Sequence, residues 1–153
     1  MLREKIDDMI MEATVASANY HDKKFEVECL RLIKAEFLRY NASKEAVKKP
    51  MDDAVEISIL KKMVKQRDES GKLYMDNGRD DLANREFAEA EIIEGFLPEE
   101  VGADVIEDEV DSIIASGVVA VKKNMGGIIK AVKEKYPMAD GKMISGIVLK
   151  KLK

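Results

Sequence analysis

Cys29 and His21 are the chain's single examples of the two residue types best suited to nucleophilic and proton-transfer chemistry. A working nucleophile needs a base within hydrogen-bond reach and a group that orients that base. Nothing local in the sequence pairs these two. His21 lies in Asn19-Tyr20-His21-Asp22-Lys23, which interrupts an apolar stripe and reads as a solvent-facing turn. Cys29 lies in a helical pattern and reads as a buried structural thiol. As the only cysteine it allows no intramolecular disulfide, no CxxC motif and no cysteine-rich zinc site. The acidic pairs Asp52-Asp53, Asp80-Asp81 and Glu99-Glu100 stand at helix starts, where the helix dipole accounts for them. No Walker-type glycine loop and no serine–lysine amidase signature is present. The residues predict no complete catalytic set, no metal site and no cofactor.

Binding chemistry is better represented, and it lies near the C-terminus. From Gly117 to Lys153 there are nine lysines against Glu134 and Asp140, a formal +7, so residues 1–116 carry −11 of the chain's −4. A cationic lobe joined to an anionic one suits contact with a polyanion; the plainer reading is two lobes attracting each other. Lys122, Lys123, Lys130, Lys133 and Lys142 present ammonium groups around the expected starts of the last two helices, where unpaired N–H groups also favour phosphate. Gly126, Gly127 and Gly141 let a backbone come close without a Cβ. The competing reading makes these glycines packing residues and the lysines a solvated face. Tyr136 is the tail's only aromatic residue, so recognition would rest on shape and backbone charge rather than base stacking.

Helical periodicity must position these residues. Leu2, Ile6, Met9, Ile10 and Ala13 form one stripe, and Leu30, Ile33, Phe37 and Tyr40 mark a second helix. Pro50-Met51-Asp52-Asp53 starts a third, with Val55, Ile59, Leu60, Met63 and Val64 on its buried side. Gly71 lies late in that pattern and costs about 1 kcal/mol relative to Ala if helical. Asn77-Gly78 stops the helix, and Asp80-Asp81 opens the next, whose stripe includes Ala83, Phe87, Ala90 and Ile93 or Glu94. The two long helices, Asp52 to Met75 and Arg79 to Gly95, predict a hairpin. Phe96-Leu97-Pro98 ends it and marks the domain boundary. Beyond it, Asp104 to Ser116 forms a helix. Val118, Val119 and Val121 form a packed connection, and two more helices follow, divided by Pro137 and restarted at Asp140.

The expected fold is therefore all-α. An acidic helical domain over residues 1–97 carries the long hairpin, and a basic three-helix domain covers residues 98–153. Apolar content of 46% with 37% charged residues suits amphipathic helices with solvated outer faces. No apolar stretch approaches the roughly 20 residues of a membrane span, and the charged N-terminal helix has no signal-type apolar region. A soluble, cytoplasmic protein that does not engage membranes is expected.

In this order of elements the chain resembles the YqeY family, whose members share a tail domain with GatB, the tRNA-engaging subunit of the glutamine-dependent tRNA amidotransferase. The resemblance covers essentially the whole sequence. It is carried by Arg31-Leu32-Ile33-Lys34-Ala35-Glu36, Val64-Lys65-Gln66-Arg67-Asp68-Glu69-Ser70, Gly78-Arg79-Asp80-Asp81-Leu82-Ala83 and Glu91-Ile92-Ile93-Glu94-Gly95-Phe96-Leu97-Pro98. In the tail, Met125-Gly126-Gly127-Ile128-Ile129-Lys130 and Ala139-Asp140-Gly141-Lys142-Met143-Ile144 continue it. Gly127 and the run Lys135-Tyr136-Pro137-Met138 depart from the usual pattern. The resemblance implies an all-helical, two-lobe protein whose tail contacts tRNA, and a label of carbon–nitrogen ligase activity with glutamine as amido-N-donor. That chemistry requires an activated nucleophile together with ATP and Mg²⁺ handling. The residues supply neither, so the expectation is an accessory binder of tRNA or another structured RNA, not catalytic by itself. The alternative is a protein-interaction module docking a partner subunit through the hairpin, with Met63, Met75 and Phe87 as anchors.

Overall fold

A computed structural model describes residues 2–15, 20–119 and 121–152. Among these residues there are eight α-helices, one 3-10 turn and no strand. The chain divides into two compact units, Met1–Leu97 and Pro98–Lys153.

The first unit holds α1 (Leu2–Val15), α2 (Tyr20–Asn41), α3 (Lys44–Lys48), α4 (Asp53–Asp76) and α5 (Asp80–Glu94). Local chemistry explains most of the boundaries. The Asp52 carboxylate accepts from Val55 N–H at 2.8 Å, and Asp53 and Glu56 add negative charge to the positive end of α4. Asn77 closes the helix and Gly78 turns the chain at φ +70°, a left-handed conformation that favours glycine. The turn expected over residues 19–23 is corrected from Tyr20 onward: Tyr20 to Lys23 are the first helical residues of α2, and Asn19 lies outside the described residues. A polar run marks the loss of an apolar stripe in the sequence, and a helix can begin within such a run. The short α3 escaped the sequence reading as well. Ser43 caps it, accepting from Ala46 N–H at 3.4 Å, but α3 buries no residue, so it leaves no apolar stripe to detect.

One core joins α1, α2, α4 and α5. Ile6, Leu30, Ile33, Phe37, Leu60, Met63 and Ile93 are each almost fully buried within it. Full burial of such a side chain stabilises by about 1.5–3 kcal/mol. The most extensive pairing is the hairpin of α4 against α5. There α5 offers Ala83 and Ala90, both buried, and α4 offers Gly71. A Cβ on Gly71 would lie 2.5 Å from Cε1 of Phe87, so the helix interior tolerates glycine's poor propensity to admit that ring.

Glu56 is a second device that periodicity conceals. It points into the core, 0% exposed, and its Oε2 accepts from Leu2 N–H at 2.9 Å, so a side chain of α4 caps the start of α1. Its Oε1 is buried without a hydrogen-bond partner. Burial pushes the Glu56 carboxyl above the usual range, and hydrogen bonds from the backbone of Leu2 and Arg3 offset only part of that push.

The second unit holds α6 (Ala103–Ala115), a 3-10 turn (Lys122–Asn124), α7 (Met125–Lys135) and α8 (Gly141–Lys151). Ile106 and Val110 of α6, Ile128 and Val132 of α7, and Ile144 and Val148 of α8 meet in a small core with Ala139. The connection after α6 is exposed at two of the three valines rather than packed: Val119 is 62% exposed and Val118 36%, while Val121 is half-buried. The three helices close their core without it.

Two outcomes test this packing. Gly71→Ala should destabilise the fold by roughly 1 kcal/mol in chemical denaturation, because ring displacement outweighs the gain in helix propensity. In a Phe87→Ala background the same substitution should instead stabilise, by about 1 kcal/mol. For Glu56, a folded-state value raised above the unfolded one contributes stability that is present below the ordinary carboxylate range. That contribution is lost as pH rises through the raised value. Glu56→Gln should therefore unfold at a higher temperature than the parent at pH 8, with the gap closing toward pH 4.

Candidate nucleic-acid interface

Charge in the second unit divides by helix. From Pro98 to Lys153 nine lysines face nine carboxylates, so the unit as a whole is neutral and not basic. The expectation of a basic domain over residues 98–153 is corrected on this point. The acidic α6, with Asp104, Glu107, Asp108, Glu109 and Asp111, folds into the same core as the lysine-bearing α7 and α8.

That arrangement ties down two lysines. Lys151 bridges Asp111 at 2.6 Å and Glu107 at 3.1 Å, and Lys135 pairs with Glu109. Hydrogen bonds to these carboxylates hold both ammonium groups above the usual lysine range. Lys122, Lys123, Lys133, Lys142 and Lys150 have no ion-pair partner among the described residues. Lys130 lies 3.8 Å from Glu134, with both side chains largely in water, an arrangement that restrains it little.

The sequence-derived set separates into two places. Lys122 and Lys123 occupy the 3-10 turn that leads into α7, Gly126 and Gly127 form its exposed first turn, and Lys130 follows one turn later. The start of α7 carries no acidic residue and no side-chain cap. Its Asn124 instead donates from Nδ2 to Val119 C=O at 2.8 Å. Neither Gly126 nor Gly127 has any atom within 4 Å of where a Cβ would stand. This corner combines positive side chains, the positive end of a helix and an unobstructed backbone.

The start of α8 differs. Asp140 already accepts there from Lys142 N–H at 2.6 Å and Met143 N–H at 3.2 Å. A carboxylate occupies the position that a phosphate would take. Gly141 is covered as well, for the Lys133 Nζ would stand 3.0 Å from its Cβ. Asp140 thus caps α8 and Lys133 lies over Gly141, while Lys142 remains exposed beside them.

Cys29 is buried, and its thiol is pushed up to about 11 by desolvation, with Glu89 adding to the effect and Arg67 opposing it. At neutral pH it is a protonated, poor nucleophile. Its surroundings were missed by the sequence reading. Arg67 on α4 pairs with Glu89 on α5 at 3.1 Å, with both side chains largely enclosed. Arg85 reaches Glu89 at 3.4 Å and Glu28 of α2 at 3.6 Å. Burial of a charged pair depends on which turns of two helices face each other, a fact that spacing along one helix does not carry. The backbone of His21 is helical, and its side chain lies outside the described residues. No group of three or more His, Cys, Asp or Glu able to hold a metal occurs among the described residues. No helix there is long and apolar enough to cross a membrane.

Of the three hairpin anchors, Met63 is buried and Phe87 fills the space left by Gly71. Met75 is 55% exposed and lies near Leu73, 62% exposed, at the end of the hairpin.

Fold and sequence together define a helical protein of two units, with no strand among the described residues. The sequence profile of the family described as Yqey-like protein matches residues 4–152, and the chain belongs to that family. No curated protein matches the chain.

A thiol of this kind should stay unmodified by iodoacetamide in the native protein at pH 8 and react fully once the chain is unfolded. Native labelling at the rate of a free thiol would contradict the buried position of Cys29.

Proposed function

We propose that this Yqey-like chain is an accessory RNA-binding protein that holds tRNA or another structured RNA by its phosphates. The observation that carries the reading is the corner at the start of α7, where Lys122, Lys123 and Lys130 flank a helix start that has no side-chain cap and whose glycines are open to solvent. Phosphates approaching it would displace counterions from the RNA and meet backbone N–H donors at short range. The carboxylates of α6 repel RNA and confine the contact to the lysine-bearing side of the unit. No aromatic residue lies in the corner, which suits recognition of backbone shape over base identity.

In this reading the chain performs no chemistry alone, and its work is positioning. Carbon–nitrogen ligase activity, the label attached to relatives of this tail, would then belong to another subunit. Docking of a partner protein at the hairpin end, around Leu73 and Met75, is the second reading and rests on their exposure.

Anisotropy of labelled bulk tRNA against the intact protein tests the proposal across salt concentrations. Three phosphate contacts at the α7 corner predict a log–log slope of about −2 to −3, whereas five lysines acting together predict about −3.5 to −4.5. Lys123→Glu combined with Lys130→Glu should weaken binding by about tenfold or more at low salt, with an unchanged unfolding temperature. Unchanged affinity in that folded variant would remove the site assignment.

A further inference from the structure

A second group of unpaired polar side chains lies in the first unit, which carries the less basic composition. The end of α2, the short α3 and the middle of α4 enclose a groove of ≈ 550 Å³. That volume is in the range of about 300–1,000 Å³ common to small-molecule sites. Lys44, Lys62, Ser58 and Gln66 are among the residues that line it. None of these four side-chain groups has a partner among the described residues. Tyr40 forms part of the wall, and its ring is held in place because its hydroxyl donates to Lys49 C=O at 2.8 Å. Ile59 and Met63 supply apolar lining.

Two carboxylates also border the groove. Glu36 is occupied by Arg39 at 2.5 Å, while Glu45 carries no ion pair among the described residues. An inorganic anion would gain from Lys44 and Lys62 but would have no use for Glu45, the tyrosine ring or the apolar lining. A nucleotide uses all of them. Its phosphate pairs with the two lysines, its ribose hydroxyls donate to the Glu45 carboxylate, and its base lies against Tyr40. The carboxylate thereby favours a ribonucleotide over a bare phosphate.

We infer that this groove is a binding site for a ribonucleotide phosphate, either a free nucleotide or one unpaired residue of an RNA strand. The RNA-strand form rests on the reading given under Proposed function, and the free-nucleotide form does not. The groove offers an aromatic surface and a carboxylate acceptor, which the α7 corner lacks, so the two sites recognise different parts of a nucleic acid.

The test titrates adenosine 5′-monophosphate into the intact, isotopically labelled protein and follows backbone amide shifts, with inorganic phosphate as the control. Shifts should concentrate in residues 39–45 and 58–66, and phosphate alone should bind about tenfold more weakly or worse. Lys44→Glu with Lys62→Glu should weaken nucleotide binding by about tenfold or more, and Tyr40→Leu should weaken it too. Lys123→Glu with Lys130→Glu should leave it unchanged. That last comparison separates the groove from the RNA reading, because either can fail without the other. A thermal melt of each variant verifies folding. No shifts up to about 10 mM nucleotide, equal affinity for phosphate, or shifts centred on residues 122–130 would each overturn the inference.

Discussion

A chain in which 37% of residues are charged has to keep each charge in water or opposite a partner while still closing an apolar core. Amphipathic helices meet that demand, and both units follow from it. In the first unit the demand extends to the interior, where Arg67 and Glu89 lie largely enclosed between α4 and α5. Breaking such a pair leaves one charge stranded, so it penalises any other registry of the hairpin more than it stabilises the correct one. The small residues Gly71, Ala83 and Ala90 then allow the two helices to approach closely in that registry.

The same constraint shapes the surface of the second unit. Because α6 contributes its carboxylates to a neutral unit, Lys135 and Lys151 have internal partners and work as braces between helices. The lysines left over lie mainly at the start of α7 and along the outside of α8. The local caps divide these further. Asp140 supplies α8 with its own anion, whereas α7 begins without one. Two helix starts that look alike in composition therefore differ in what they offer to a phosphate.

Much of the fold could be read in advance because its signals are local. Asp52, Asn77-Gly78, Asp80-Asp81, Pro137 and Asp140 each act within one turn of a helix boundary, and the stripes between them repeat at the helical period. The short α3 is the exception: it buries no residue, and a helix without a buried face leaves no periodic trace. The exposed valines before α7 mislead in the opposite direction, since an apolar run signals burial only where a core is near enough to receive it.

What the sequence determined by itself is the helical class, the order of the helices that bury an apolar face, and the family, because periodicity, caps and motifs depend on neighbours along the chain. Tertiary structure alone decided which charges are in use. It paired Lys151 with Asp111 across 40 positions, set Glu56 against the start of α1 across 54, and brought Lys44 and Lys62 to one groove. An ionic or hydrogen-bonded contact is short-ranged in space and indifferent to separation along the chain. Candidate residues could therefore be named from their types, but their availability followed only from the packing of the helices that carry them.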